Sequence, residues 1–238
     1  MLLMDGQLDV AMVSMLEQKN EKCRFTRVDS DIIDRLIAKD EHKDVALAAR
    51  EREMLSAVFR SQLPQMSKVD FNVETQALGE TAAPILITQS EYMRRMKEMA
   101  NIQAGMSFYG EMPDMFNIVL NVDHKLVKQV LHETETACSS DLAPIEAEMA
   151  VLNERHETLH KAQENKKADE IPQAEKDELS DLEKKLADER SKKESLFSHY
   201  AGGNKVVRQL IDLALLQNNM LKGEALTNFV KRSVELIG

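Results

Sequence analysis

Apolar residues recur along this chain at two spacings, every second residue and every third to fourth, and each change of spacing marks a predicted element. Near the start, 2–4 is a short apolar run closed by the turn signal Asp5-Gly6, which predicts a strand. Val10, Val13 and Leu16 share one side of a short helix, 24–28 reads as a second strand, and Asp29-Ser30 is placed to cap a helix over 31–37. These elements make no core by themselves, and an opening directly on an apolar strand is what a segment of a longer protein would show. The charged run 39–44 reads as a linker. Over 45–63 the residues Leu47, Leu55, Val58 and Phe59 keep a helical period up to Pro64. Val69, Phe71 and Val73 alternate with polar residues, which predicts a half-buried strand. Strands follow at 85–87 and 115–120 with a helix between them capped near Ser90, and Asp123 is placed to cap a helix ending near His132. Helix, strand, strand, helix, strand, helix is an α+β pattern with a small three-stranded sheet.

From Cys138 to about Tyr200 the pattern changes. Ile145, Met149, Leu152, His156 and Leu159 step by four, three, four, three, the seam of a coiled coil. Beyond a charged turn containing Pro172, the residues Leu179, Leu182 and Leu186 resume that spacing, with a weaker return to Leu196. Two charged arms about a breaker predict an antiparallel helical hairpin over about 143–197, each arm reaching roughly 30 Å. The alternative is a solvated and partly disordered charge run, since the second seam is thin. The tail is apolar again. Leu210, Leu213 and Leu216 belong to a helix apolar around most of its girth, and Leu226, Phe229, Val230, Val234 and Ile237 to a second stripe beyond the turn 221–223. So much apolar face is covered either within the domain or by a second copy in a two-fold helix bundle.

The stretch 89–113, QSEYMRRMKEMANIQAGMSFYGEMP, is richest in information. Tyr92, Met96 and Met99 fall on one helical stripe, and Arg94, Arg95, Lys97 and Glu98 take much of the remaining surface. Met106, Phe108 and Met112 continue the apolar supply without a helical period. Methionine is unbranched and polarizable, so this helix either fills gaps in its own domain or moulds to apolar segments of other proteins.

Composition narrows the function. The chain has 238 residues, a formal charge of −10 and 14 Met, with 4% aromatics and no Trp. That balance disfavours nucleic acid and anionic membrane as partners, and stacking platforms are poorly supplied. No apolar run approaches the roughly 20 residues of a spanning helix, and the opening residues lack a secretory pattern. Cys23 and Cys138 stand far apart in no ligand or redox spacing, as reduced thiols of a cytoplasmic protein would.

One motif invites chemistry. His156-Glu157-Thr158-Leu159-His160 fits the HExxH pattern, in which two histidines one turn apart chelate zinc and the glutamate serves as base. Here His156 continues a coiled-coil seam in a charged hairpin, with no cleft to exclude water, so a structural role is the stronger reading and no metal is expected. Gly202-Gly203 before Asn204-Lys205 lacks phosphate-loop spacing and reads as a hinge. No catalytic residue is expected.

The stretches LLMDGQLDVAMVSMLEQK (2–19), CRFTRVDSDIIDRLI (23–37), QSEYMRRMKEMANIQAG (89–105), LNVDHKLVKQVL (120–131) and NKVVRQLIDLALLQNNMLKGEALTNFVKRSVELI (204–237) resemble the HtpG family, the bacterial heat-shock protein 90 chaperones. The likeness covers roughly 1–135 and 200–237. It implies that 1–40 is the tail end of the middle domain and 41–238 the C-terminal dimerisation domain, with 143–197 an insertion that the common bacterial pattern lacks. By this resemblance the whole protein is an ATP-driven homodimeric chaperone acting on partly folded clients. Tyr92, Met93, Met96 and Met99 would contact clients, with Met106 and Phe108 carried over less directly. Leu210, Leu213, Leu216, Leu226, Phe229 and Val230 would hold the dimer in a four-helix bundle. ATP and magnesium would bind outside this chain, so no cofactor and no ATP hydrolysis are expected of it. Its end, VELIG, lacks the MEEVD tail that recruits tetratricopeptide co-chaperones, a class of partner therefore not expected. An adaptor acting through the hairpin is the alternative function.

Overall fold

The computed structural model describes residues 9–20, 22–23, 25, 47–89, 91–100, 112–163 and 172–237. The strand at 2–4, the helix at 31–37 and the linker at 39–44 lie outside the described residues, as does the strand at 24–28 apart from Phe25. The first helix, α1 (Asp9–Lys19), buries Val13 but leaves Leu16 exposed beside Met12 and Met15.

In α2 (Ala49–Arg60) Met54, Leu55, Val58 and Phe59 sit at i, i+1, i+4 and i+5, so one face carries all four side chains into the core, each at most 1% exposed. Glu51 reaches back to accept the Ala48 N–H at 2.7 Å, and Ser61 closes the other end by donating to the Val58 carbonyl. Three strands follow the α+β expectation: β1 (Val69–Gln76), β2 (Ile85–Gln89) and β3 (Asp114–Asn121). Their order is β1-β3-β2, with β3 parallel to β1 from Val69↔Asp114 to Gln76↔Asn121 and antiparallel to β2. The central strand is covered on both sides. Ile118 and Leu120 enter the main core, while Val119 packs with Leu78, Ala82 and Leu86 on the other face. A strand so enclosed reads as a continuous apolar run.

At the end of β3, Asn121 is fully buried. Its Oδ1 accepts the N–H groups of Leu78 and Asp123, each at 3.1 Å, and its Nδ2 donates to the Gly79 carbonyl at 2.8 Å. One side chain thus ties down a loop 42 residues away and satisfies the Leu78 N–H, which would otherwise be stranded out of water.

Helix α3 (Glu91–Ala100) bridges β2 and β3. Two expectations need correcting in α4 (Lys125–Gln163). The cap is His124, whose Nδ1 accepts the Leu126 N–H, whereas Asp123 accepts the Gly79 N–H instead. Nor does the helix stop near His132. Its buried stripe Val127, Val130, Thr134, Cys138 and Leu142 runs unbroken into the coiled-coil seam and through Pro144. Thr134 and Thr136 donate their hydroxyls to the carbonyls four residues earlier, so polar residues that look like a break are absorbed by the helix.

After Pro172, α5 (Gln173–Gly203) returns along α4. The seam is occupied as its spacing predicts: Leu152, Leu159, Leu182 and Leu186 are buried against one another, with Leu179 partly covered. Arg155 and Glu178 join the arms at 2.6 Å. At its base the hairpin is part of the main core through Cys138, Leu142, Phe197 and Ala201. Asn204 separates α5 from α6 (Lys205–Gln217), its Oδ1 accepting the N–H groups of Val206 and Val207. A turn with Asn219 and Gly223 at φ of 55° and 60° leads to α7 (Gly223–Ile237).

Candidate functional site

Two surfaces carry the residues that the sequence singles out. The first is the outer side of the tail pair. Val207, Leu210, Ile211, Ala214 and Leu215 turn inward, so Leu210, at 4% exposure, belongs to the main core and not to an outward face. Leu213 and Leu216, on the other side of α6, are 38% and 36% exposed. On α7, Leu226 and Phe229 are partly covered by the core, while Val230 and Val234 are 52% and 66% exposed. Val234 continues the stripe one turn beyond Val230, as its spacing predicts.

Polar contacts join the two helices. Arg232 pairs with Asp212 and also donates from Nε to Gln209 Oε1 at 3.1 Å. Gln209 donates to Ser233 Oγ at 2.6 Å, and Lys205 meets Glu235 at 2.9 Å. The hydrogen bond and charge of Lys205 hold the Glu235 carboxyl below its usual range. Polar contacts therefore link the two helices, while Leu213, Leu216, Val230 and Val234 stay exposed.

The second surface surrounds α3. Met96 and Met99 are half-buried; the side chains of Tyr92 and Met93, and all of Met106 and Phe108, lie outside the described residues. Arg95 departs from the expectation of a solvent-facing cation. It donates from Nη1 to Glu17 at 2.7 Å and from Nη2 to the Phe25 carbonyl, while Glu17 also accepts the Phe25 N–H. Lys97 pairs with Asp114 at 2.7 Å. The Arg95–Glu17 contact pins α1 to α3, Lys97 ties α3 to β3, and α1 brings Met12 and Met15 at 46% and 48% exposure. Sequence reasoning missed this pair; the signal was two methionines three residues apart beside Leu16.

His156 and His160 stack at 6.2 Å along the hairpin, with His156 Nε2 3.8 Å from Glu183. Among the described residues no group of three or more His, Cys, Asp or Glu is placed to share a metal ion. No helix among them is long and apolar enough to cross a membrane.

The fold is thus α+β, with Leu213, Leu216, Val230 and Val234 exposed on the tail helix pair and Met12 and Met15 exposed on α1. The chain is 69% identical over 236 residues to the chaperone protein HtpG of Bacteroides fragilis and 67% identical to that of Bacteroides thetaiotaomicron. Identity to the HtpG of Porphyromonas gingivalis is 44%. Each match covers 99% of this chain and 34–35% of the relative, so the chain spans about a third of the length of the curated relatives it matches. The resemblance read from the sequence is borne out: the chain is homologous to a stretch of the HtpG chaperones. The matched stretch of sequence runs through the hairpin residues. No protein-family model and no solved structure matches the chain.

Proposed function

We propose that this chain supplies the homodimer contact of an HtpG-like chaperone and part of its surface for partly folded clients. The observation that carries the reading is the exposure of Leu213, Leu216, Val230 and Val234 on one helix pair. Covering them against a second copy would recover roughly 25 cal/mol for each Å² of apolar surface removed from water. A permanent junction here makes closure of the two subunits elsewhere an effectively intramolecular event. The junction residues are Leu213, Leu216, Leu226, Phe229, Val230 and Val234, with Leu210 supporting them from the core.

The client surface in this reading is centred on α3 and extended by Met12 and Met15 of the adjoining helix. Soft thioethers give contact area without requiring one client sequence. Nucleotide and magnesium chemistry belongs to other parts of the whole chaperone, and the stretch itself hydrolyses no ATP. Its setting is the cytoplasm. Sedimentation across a dilution series tests the junction: a dimer at micromolar concentration is the expected result, and a monomer there rejects the reading. Met96→Glu with Met99→Glu is expected to weaken suppression of client aggregation at unchanged helical content. Unchanged suppression removes the client role from α3.

A further inference from the structure

A groove lies between α2 and the base of α5, on a side that neither surface above uses. One half, of about 340 Å³, is lined by Arg52, Ser56, Arg60 and Arg190 over Phe197. Past Arg60 it continues into a wider half of about 540 Å³ that adds Ser191, Ser195 and Ser198. Arg52, Ser56 and Arg60 are spaced four apart, so about 12 Å of α2 carries a guanidinium at each end and a hydroxyl between. Arg190 stands on the facing helix.

The charges in this groove are not balanced. Among the described residues Arg52, Arg60 and Arg190 form no ion pair and no side-chain hydrogen bond. Lys193, at the floor, is occupied by Glu53 and Glu146. Glu194 is then the carboxylate left facing three unpartnered guanidiniums. In a chain of net charge −10 this is a local reversal of sign, and the walls of a groove focus it. Guanidinium forks match phosphate oxygens two at a time, and serine hydroxyls add donors. Phe197, 1% exposed, closes the floor of the groove.

We infer that this groove binds a compact oligophosphate anion, free or carried on a larger molecule, held by Arg52, Arg60 and Arg190. The test is calorimetric titration of the full chain with sodium tripolyphosphate at fixed ionic strength, beside arms with orthophosphate and with a Glu-rich peptide. One saturable site per chain is expected, at least tenfold tighter for tripolyphosphate than for orthophosphate, which identifies a linked phosphate as the ligand. Comparable affinity for orthophosphate overturns the linked-phosphate assignment. Arg60→Gln and Arg190→Gln are each expected to weaken binding at least fivefold, whereas Lys222→Gln, an equal charge change on an exposed site elsewhere, leaves it unchanged. Arg60→Lys keeps the charge but not the fork and is expected to lose at least threefold, with circular dichroism confirming the fold. Absence of a saturable site overturns the assignment, as does equal weakening by Lys222→Gln or equally tight binding of the Glu-rich peptide.

Discussion

Lys193 on α5 and Glu53 on α2 meet at 2.8 Å across 140 residues of chain. The lysine side chain is 8% exposed and the glutamate 58%, so the amine is sealed beneath the hairpin base while the carboxylate reaches in from solvent. Glu146 of α4 lies 3.8 Å from the same amine and accepts Arg50 Nε at 2.8 Å. One cation therefore links three helices where a coiled-coil seam would ordinarily place an apolar side chain.

Lys193→Ala should weaken the root of the hairpin by about 1–2 kcal/mol, a value held down by the exposure of Glu53. Scanning calorimetry should show a melting point lower by roughly 2–8 °C. Lys193→Met should recover much of the loss, because its side chain refills the space and both carboxylates keep access to water or to Arg50. A melting point unmoved by the alanine change would show that the link contributes nothing.

The tail should separate dimerisation from folding. Leu213→Glu with Val230→Glu places charge on side chains already in water, so helical content should hold while the sedimenting mass halves at micromolar concentration. Leu210→Ala should do the opposite, costing about 2–4 kcal/mol of stability through a core cavity while leaving subunit contacts in place. A double-glutamate variant that stays dimeric would move the junction elsewhere.

Arg95→Ala removes the donor shared by Glu17 and the Phe25 carbonyl. Amide exchange in α1 should accelerate at least tenfold while α4 keeps its protection, since local opening costs less than global unfolding. Equal rates in the variant would mean that α1 is held by packing alone.

Cys138 is 2% exposed, and burial, aided by Asp141, pushes its thiol above the ordinary range. Because the thiolate is the reacting form, alkylation should be slow at pH 8 and should quicken only when the pH passes above the usual thiol range or the protein unfolds. Mass spectrometry after iodoacetamide treatment would check it; prompt labelling of native Cys138 would contradict the burial.

Much of the architecture is legible locally. Alternation at Val69, Phe71 and Val73 marks a strand, and the four-three spacing from Ile145 to Leu159 marks the first arm, because spacing alone decides which side chains share a face. The thin second arm becomes intelligible only in three dimensions. Glu189 and Lys193 continue the four-three steps from Leu182 and Leu186, but they are polar and look like a break until their partners are in view.

Among the described residues the sequence by itself determined most of the elements, and it determined the acidic balance and the family likeness, all of which are carried by neighbouring residues and their order. Tertiary structure alone decided that Leu210 turns inward while Leu213 turns out, that Asn121 anchors a loop 42 residues away, and that Arg95 holds another helix rather than facing water. The reason is physical: a period states which residues share a face, whereas burial and charge pairing depend on what stands opposite, and that is supplied by distant parts of the chain.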